Sequence, residues 1–498
     1  MPQQSFLHDW HNQTTLHPLG LVALIVLGVA VILLPRRLAV VPMVVMACFV
    51  SPAQRIVFLT LDFNLLRMMV LFGWARLLIR SELCGLRWKP IDTVIVLWVL
   101  SSTLTYNLLH GTVGAMINRF GFMFDAIGMY FMFRLLIRDW SDIASIARSV
   151  ALISIPVALS FLIEKSTGRN MFAIFGGVPE LTVSRGGKLR CQGAFPHPLL
   201  AGCFWASLMP LIASLFWRDA RDRMMACLGL LASMTVILTC TSSTPLIVVV
   251  LGAVVAFLFL LRRWMQWIRW AVVGLVILLH FVMNNSVWHL LARIDVVGGS
   301  AGWYRYLLID EAINHFGEWA LIGTRSTRHW WTYGMGDVTN QYVLEGVNGG
   351  LVTLLLFLAT IALAFAGVGR ICRTIERPRV RVARSSKRRS LRQRFTLSQA
   401  FPRSAARSAL EPSHVRRANL IMAWALGSSL FIHCIAFIAV SYFGQITMLW
   451  YLTLAMVGTL TPSSRAVWAF TVARPRGPTT GKSLDPAFPV CLIVPTRA

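Results

Sequence analysis

Charged residues are scarce in this sequence, and acids are the scarcer kind. Only 13% of the 498 residues are Asp, Glu, Lys or Arg, whereas soluble domains typically contain about 25%. Hydrophobic residues make up 56% of the chain, and its mean hydropathy is +0.66. This balance argues against a water-soluble protein and predicts an integral membrane protein.

Metal-binding patterns are also missing. The nine cysteines are scattered along the chain, and their spacing includes neither a CxxC pair nor a Cys/His set of the kind that binds zinc. We therefore expect a site without a metal ion, and the sequence predicts no cofactor.

The positive charge is in large excess, with 47 Lys and Arg against 20 Asp and Glu. In a soluble protein this excess could indicate nucleic-acid binding, but here the basic residues cluster in segments between apolar blocks. Cytoplasmic loops of membrane proteins collect Lys and Arg, and such loops attract anionic lipids. We therefore expect membrane lipids rather than nucleic acid as partners.

Apolar blocks of about 16 to 22 residues recur along the chain, the length that crosses about 30 Å of hydrocarbon as a helix. They predict an all-α, polytopic membrane protein with about 12–13 transmembrane helices. The second block, 38–51, is short and contains Pro42, so it either crosses fully or re-enters. The blocks lie at 19–34, 38–51, 63–79, 91–106, 119–137, 146–163, 197–216, 224–240, 245–261, 269–283, 347–368, 418–440 and 444–461.

These blocks and the basic clusters between them predict the organisation of the chain. The Arg- and Ser-rich segment 369–417 is too polar to bury a core, so we expect it to be disordered. The segments are N-terminal transmembrane helices (1–163), an outer loop (164–196), central transmembrane helices (197–283), a large outer loop (284–346), a transmembrane helix (347–368), the basic cytoplasmic loop (369–417), C-terminal transmembrane helices (418–461) and a cytoplasmic tail (462–498).

The large outer loop contains the residues best suited to chemistry. Arg305, Arg325 and Arg328 follow glycine-containing turns, and arginine can donate two parallel hydrogen bonds to a phosphate or diphosphate. The alternative is that these arginines anchor the loop at the membrane surface by pairing with Asp310, Glu311 or lipid headgroups. The run from Trp303 to Gly323 has apolar helical periodicity and predicts a helix.

Polar residues also lead from this loop into the next apolar block. Asp337, Asn340 and Glu345 stand there, and a carboxylate at such depth is a candidate for function. The pair Trp330–Trp331 is typical of an aromatic belt at the membrane surface.

Two segments together resemble the bacterial O-antigen ligase and polysaccharide polymerase superfamily. In the large loop, Gly299-Ser300, Arg305 and the helix end at Gly323 are followed by a motif from Thr339 to Gly350. Upstream, LRCQGAFPHPLLAGCF is similar to another segment of the same proteins and places Arg190 in it. Thr339 stands where the family motif has histidine and Asn348 where it has glutamate, so the resemblance is closer to polymerase-like members.

The resemblance implies a GT-C-like fold and a metal-independent, inverting glycosyltransferase in the bacterial cytoplasmic membrane. Its partners would be a polyprenyl-diphosphate-linked glycan donor, a glycan acceptor and other polysaccharide assembly proteins. Arg305, Arg190, Arg325 and Arg328 would bind the substrate. Asp337, Glu345 and Asn340 would form the catalytic group, with one of the two carboxylates as general base.

Two other function classes stay open at this point. A transporter of a lipid-linked sugar or anionic solute would need ionisable groups within its spans, and Asp125, Arg67 and Arg76 stand inside apolar blocks. A non-catalytic component of a polysaccharide assembly complex is the third class.

Overall fold

The fold is mostly helical, in agreement with the predicted all-α polytopic class. A computed structural model describes residues 14–58, 61–283, 286–293, 301–331, 337–376, 412–462, 469–472 and 491–494. Its helices are α1 (Pro18–Leu33), α2 (Val41–Phe49), α3 (Leu65–Ile79), α4 (Pro90–His110), α5 (Val113–Met123), α6 (Met129–Leu136), α7 (Trp140–Thr167), α8 (Pro198–Ser214), α9 (Ala220–Thr239), α10 (Ser243–Phe257), α11 (Met265–Val282), α12 (Ala301–Asn314), α13 (Phe316–Trp319), α14 (Gln341–Glu376), α15 (Ser413–Ala439) and α16 (Gln445–Leu460).

Three short antiparallel strand pairs accompany the helices, and the sequence did not predict them. Each is a two-stranded sheet of its own, so the helical bundle carries the core. The pairs are β1 (Arg55–Phe58) with β2 (Leu61–Asn64), β3 (Ser184–Arg185) with β4 (Lys188–Leu189), and β5 (Ala469–Val472) with β6 (Cys491–Val494).

Seven helices of the described chain are long and apolar enough to cross a membrane. Three further apolar helices, α1, α10 and α16, are shorter than this limit. The protein is therefore a multi-pass membrane protein, whereas the count of about 12–13 crossings stays a prediction. The seven spans are α4, α7, α8 extended to Trp217, α9, Arg262–Val282, α14 and α15.

The short helix α2 belongs to a segment that runs the full length of α1. At the start of α1, the amide of His17 donates to Gln54 Oε1 at 3.1 Å. At its other end, Arg76 Nη1 donates to the carbonyl of Leu34 at 2.6 Å. The chain from Leu34 to Gln54 therefore returns to the end of the bundle where α1 began. The helix α2 covers only nine residues of this return. This geometry favours full crossing over re-entry for the second block.

Two ends of the bundle can be defined from such contacts. The long-loop end holds His17, Gln54, Gln192 and Gln341. These residues are joined to other segments by hydrogen bonds such as that from the Tyr442 amide to Gln341 Oε1 at 2.7 Å.

The basic end holds the segments that begin or end near Arg36, Lys89 and Arg262. Arg36 pairs with Asp142 at 2.6 Å, and Lys89 Nζ donates to the carbonyl of Thr461 at 2.7 Å. These contacts place Arg36 beside the start of α7 and Lys89 beside the end of α16. That the basic end faces the cytoplasm stays a prediction from the positive-inside rule.

The helices α14 and α15 extend beyond the predicted blocks. Asn340 Oδ1 accepts hydrogen bonds from the amides of Tyr342 and Val343 at 2.9 and 3.2 Å, so this residue caps α14 and starts it six residues before the predicted 347. At its other end α14 continues to Glu376, and α15 begins at Ser413 rather than 418. The flanks of the predicted basic loop 369–417 are thus helical, and residues 377–411 lie outside the described residues.

The outer-loop helices dock onto a kink in α14. Gly350 has φ of 75° and interrupts the helix, and a side chain there would collide with the Leu321 carbonyl. The amide of Leu351 donates to the carbonyl of Ala320 at 2.8 Å. The kink therefore frees backbone groups of α14 to hold the end of the loop helices.

The predicted loop helix is confirmed by α12 and α13, but the aromatic-belt interpretation of Trp330 and Trp331 is wrong. These two side chains are only 5% and 8% exposed. They form a second core with Leu308, Ala312, Trp319 and Val347. The indole groups stabilise the loop on α14 instead of facing lipid.

Candidate functional site

Arg305 reaches from the loop helix α12 into the helical bundle. Its Nη2 atom donates to Thr244 Oγ1 at 2.7 Å. Thr244 is 3% exposed and lies in the first turn of α10. The large outer loop thus brings a guanidinium group to a helix N-terminus at the long-loop end.

A second helix begins beside this one. Pro198 opens α8, and His197 caps it because its Nδ1 accepts from the Leu199 amide at 3.1 Å. The helices pack so closely that a Cβ on Gly202 would stand 2.4 Å from Pro245 of α10. Since each N-terminus carries about half a positive charge, the two helix ends favour an anion.

Arg190 approaches the same place from the other outer loop. The backbone amide of the next residue, Cys191, donates to the Thr239 carbonyl at 3.2 Å, at the end of α9. The Arg190 Nε atom is buried and has no hydrogen-bond partner among the described residues. Burial, reinforced by the charge of Arg185, lowers the pKa of Arg190. A buried guanidinium N–H without an acceptor is a group that an anionic ligand would satisfy.

Arg190 and Arg305 each lie near a buried cysteine of the α8–α10 region. Arg190 lies near the thiol of Cys240, and Arg305 lies near that of Cys203. These two cysteines are themselves close together in the α8–α10 region. Arg190 lies close enough to His197, the cap of α8, to affect its charge, and Arg305 contacts the first turn of α10. We call the region around these two packed helix ends the two-arginine site.

His197 stays neutral beside this site at pH 7. Partial desolvation, followed by the charges of Arg190 and Arg185, lowers its pKa to about 4. A neutral imidazole can keep Nδ1 as the acceptor that caps α8. The positive charge of the two-arginine site is thus supplied by the arginines and helix ends, and not by His197.

Glu164 shapes the segment that carries Arg190, and sequence reasoning missed it. Its carboxylate is buried and accepts from the amides of Gln192 and Gly193 at 3.0 and 3.1 Å and from Thr182 Oγ1 at 3.2 Å. The only sequence signal was an acid at the end of an apolar block. This carboxylate fixes the chain just after Arg190.

Arg325 and Arg328 occupy a different part of the long-loop end. Both are exposed, and Arg325 Nε donates to the Leu109 carbonyl at 2.7 Å, at the end of α4. Arg328 begins a short 3-10 turn between the loop helices and α14. Asp310 accepts from Trp288 Nε1 at 3.0 Å, and Glu311 lies 3.4 Å from His315.

The three predicted catalytic residues lie in different environments. Asp337 is exposed, and its carbonyl accepts from the hydroxyl of Tyr304, the neighbour of Arg305. Asn340 is 2% exposed; besides capping α14, its Nδ2 donates to the Ile438 carbonyl at 3.2 Å. Its amide is therefore occupied by backbone partners.

Glu345 lies inside the bundle rather than at its surface. It is 6% exposed and accepts from Trp98 Nε1 at 2.9 Å and from Gln341 Nε2 at 2.8 Å. Arg119, which the sequence analysis did not single out, lies near this carboxylate and stacks over the Tyr106 ring at 3.7 Å. The signal that could have found Arg119 is an arginine within an apolar run.

An apolar cavity of about 1120 Å³ lies between α3, the β1–β2 hairpin and α5. Arg67 lines this cavity, and its Nε and Nη2 donate to the Asp125 carboxylate at 2.9 and 2.8 Å. Asp125 stands in a π-helical turn, Phe124–Gly128, between α5 and α6. Such turns often mark functional positions in helices.

Metal-ligand geometry does not occur in the described part of the chain: no three His, Cys, Asp or Glu side chains there form a group that could hold an ion. The chain matches no protein-family model, and no curated protein matches its sequence. The superfamily resemblance therefore stays a prediction that depends on the residues quoted above.

Proposed function

We propose that the protein is a membrane glycosyltransferase with a GT-C-like, all-helical fold in the bacterial cytoplasmic membrane. It polymerises or ligates polyprenyl-diphosphate-linked oligosaccharides into an exopolysaccharide or O-antigen chain. The observation that carries the proposal is the position of Arg190 beside the cap of α8 and of Arg305 at the first turn of α10, two helix N-termini that pack together.

The two-arginine site has the chemistry that a diphosphate needs. Arg305 already holds a hydroxyl acceptor, Thr244, at 2.7 Å, while Arg190 Nε is buried without an acceptor in the described residues. A diphosphate oxygen would supply that acceptor, and the helix N-termini would add favourable electrostatics. The same groups would stabilise the charge that develops when the diphosphate leaves.

In the transfer step, the acceptor hydroxyl oxygen bonds to the anomeric carbon while the bond from that carbon to the diphosphate oxygen breaks. The hydroxyl proton passes to a carboxylate. Asp337 suits this role because it is exposed and its backbone lies against Tyr304, next to Arg305. Glu345 suits it less well, since that carboxylate is buried between Trp98 and Gln341.

The exposed Arg325 and Arg328 would then contact the donor or the acceptor glycan as it enters from the long-loop end. Asn340 would support this region by fixing the start of α14 and its contact with Ile438. Membrane lipids and other polysaccharide assembly proteins complete the set of proposed partners.

The experiment compares Arg305→Lys, Arg305→Ala and Arg190→Ala at equal membrane abundance. Arg305→Lys keeps the charge but loses the two-pronged geometry, so polymer chains should shorten markedly; either alanine variant should nearly abolish polymer and accumulate lipid-linked repeat units. Arg293→Ala is the matched control, because Arg293 is an exposed arginine of the same loop. Unchanged chain length in all three site variants would refute the proposed diphosphate site.

A transporter is the second candidate, favoured by one observation. Arg67 lines a large cavity and pairs with Asp125, which stands in a π-helical turn, and paired charges inside helical bundles can mark substrate pathways. Proteoliposomes containing a lipid-linked oligosaccharide distinguish the two functions. Translocation that is lost in Asp125→Asn, without formation of new glycosidic bonds by the wild type, would favour transport over transfer.

A further inference from the structure

A second large cavity, of about 1320 Å³, lies at the basic end of the bundle. Its walls are the start of α11, the last turns of α14 and the first turns of α15, with the end of α10 below them. Pockets for drug-sized ligands have about 300–1,000 Å³, so this cavity has room for a larger occupant. It lies opposite the two-arginine site and does not depend on the proposed glycosyl transfer.

The rim of this cavity is strongly positive. Glu376 is the only acid among the described residues that line the cavity, and it is already paired with Arg262 at 2.6 Å. Arg263, Arg416 and Arg417 are exposed and form no ion pair with another described residue. The arginines that line the cavity are Arg262, Arg263, Arg269, Arg373, Arg416 and Arg417.

The deeper wall is apolar and fixed in place. Phe259 and Trp424 lie edge to face with their ring centres 5.9 Å apart, and Trp424 Nε1 donates to the Val255 carbonyl at 2.9 Å. Phe365 and Val368 of α14 continue this wall. The cavity therefore combines a cationic rim with a hydrocarbon-like interior.

The helix α11 leaves the cavity open to one side. None of its residues is buried, although with its preceding turn it is long and apolar enough to cross a membrane. Lipid is the expected contact of an apolar helix that lies beside an open cavity, because acyl chains can cover apolar surface that the protein does not bury.

We infer that this cavity binds an anionic phospholipid from the leaflet at the basic end. Its phosphates lie among the arginines and its acyl chains lie along Phe259, Trp424 and Phe365. Basic pockets between transmembrane helices bind doubly charged headgroups in this way. The chain between the ends of α14 and α15 is an unsuitable occupant, because residues 377–410 contain basic side chains and no Asp or Glu.

The test measures lipid binding to the full-length protein in detergent by native mass spectrometry. The probes are tetraoleoyl cardiolipin and, as a zwitterionic comparison without net charge, dioleoyl phosphatidylcholine. The triple variant Arg263→Gln/Arg416→Gln/Arg417→Gln should bind cardiolipin about tenfold or more weakly, whereas phosphatidylcholine binding should not change. A Lys triple at the same positions should retain most cardiolipin binding, which shows that charge and not folding is responsible.

The matched control removes the same charge elsewhere at the basic end. Arg80, Arg138 and Arg221 are exposed arginines that do not line the cavity, so Arg80→Gln/Arg138→Gln/Arg221→Gln should leave cardiolipin binding unchanged. Equal weakening in both Gln triples would overturn the inference in favour of general surface charge. Unchanged cardiolipin binding in the cavity triple would also overturn it. So would a wild-type protein that is a dimer and a cavity triple that is a monomer, because the cavity arginines would then contact a second copy of the chain.

Discussion

Arg305 donates from Nη2 to Thr244 Oγ1 at 2.7 Å, and this contact joins the large outer loop to the first turn of α10. The two residues are 61 positions apart in the sequence. The core beneath α12, which includes Leu308 and Trp331, holds the loop helix in place on α14. The position of the guanidinium group therefore depends on the packing of the whole loop.

The first prediction concerns Thr244 as a positioning residue. Thr244→Val removes the hydroxyl acceptor with little change of shape, and a hydrogen bond to a charged group is worth about 1.5–3 kcal/mol. We expect shorter polymer chains and more accumulated lipid-linked repeat units, with recovery in Thr244→Ser.

Thr235→Val is the control for this change, because the Thr235 hydroxyl bonds only to the carbonyl of Leu231 in its own helix. Equal chain length in wild type and Thr244→Val would show that Arg305 does not need this contact.

The second prediction concerns the buried Glu164. Glu164→Gln puts an amide against the N–H groups of Gln192 and Gly193, so at least one hydrogen bond is lost and the cost should be about 1–3 kcal/mol. We expect a lower thermal midpoint and faster proteolysis of the loop that carries Arg190.

Glu180→Gln serves as the comparison, since the Glu180 side chain is exposed and only its carbonyl is used, by Asn170. Identical thermal midpoints and proteolysis rates for the two variants would rule out the organising role of Glu164.

Much of the helical plan could be predicted because hydrophobic length is a local property of the sequence. The start of α14 could not, since it depends on Asn340 acting as a cap as well as on hydropathy. Likewise, Arg305 and Thr244 are far apart in the sequence, and only the packing of the large loop on the bundle brings them together. The prediction for Trp330 and Trp331 was wrong, because local composition suggested lipid contact but the tertiary structure buries both rings.

The third prediction concerns orientation. Ser326 is exposed in the large outer loop, and Ser413 is exposed at the start of α15. In a cysteine-free variant, Ser326→Cys should react with a membrane-impermeant maleimide in intact cells or spheroplasts, whereas Ser413→Cys should react only after permeabilisation. The reverse pattern, or reaction of both in intact cells, would contradict the proposed orientation.

The fourth prediction is a pH dependence of stability that arises at His197. Its pKa is lowered from 6.5 to about 4 in the folded protein. The unfolded chain therefore binds more protons than the folded protein between about pH 4 and 6.5, so the contribution to stability is complete above pH 6.5 and declines as the pH falls.

His197→Asn tests this prediction because asparagine caps a helix through Oδ1 without titrating. Wild type and His197→Asn should have similar thermal midpoints at pH 7.5, since both retain a cap worth about 0.5–2 kcal/mol. At pH 4.5 the wild type should lose more stability than the variant. Arg185→Gln should reduce this loss, because removing a nearby positive charge raises the pKa of His197. The measurement is the thermal midpoint of each purified protein across this pH range, and parallel curves for wild type and His197→Asn would exclude His197 as the titrating group.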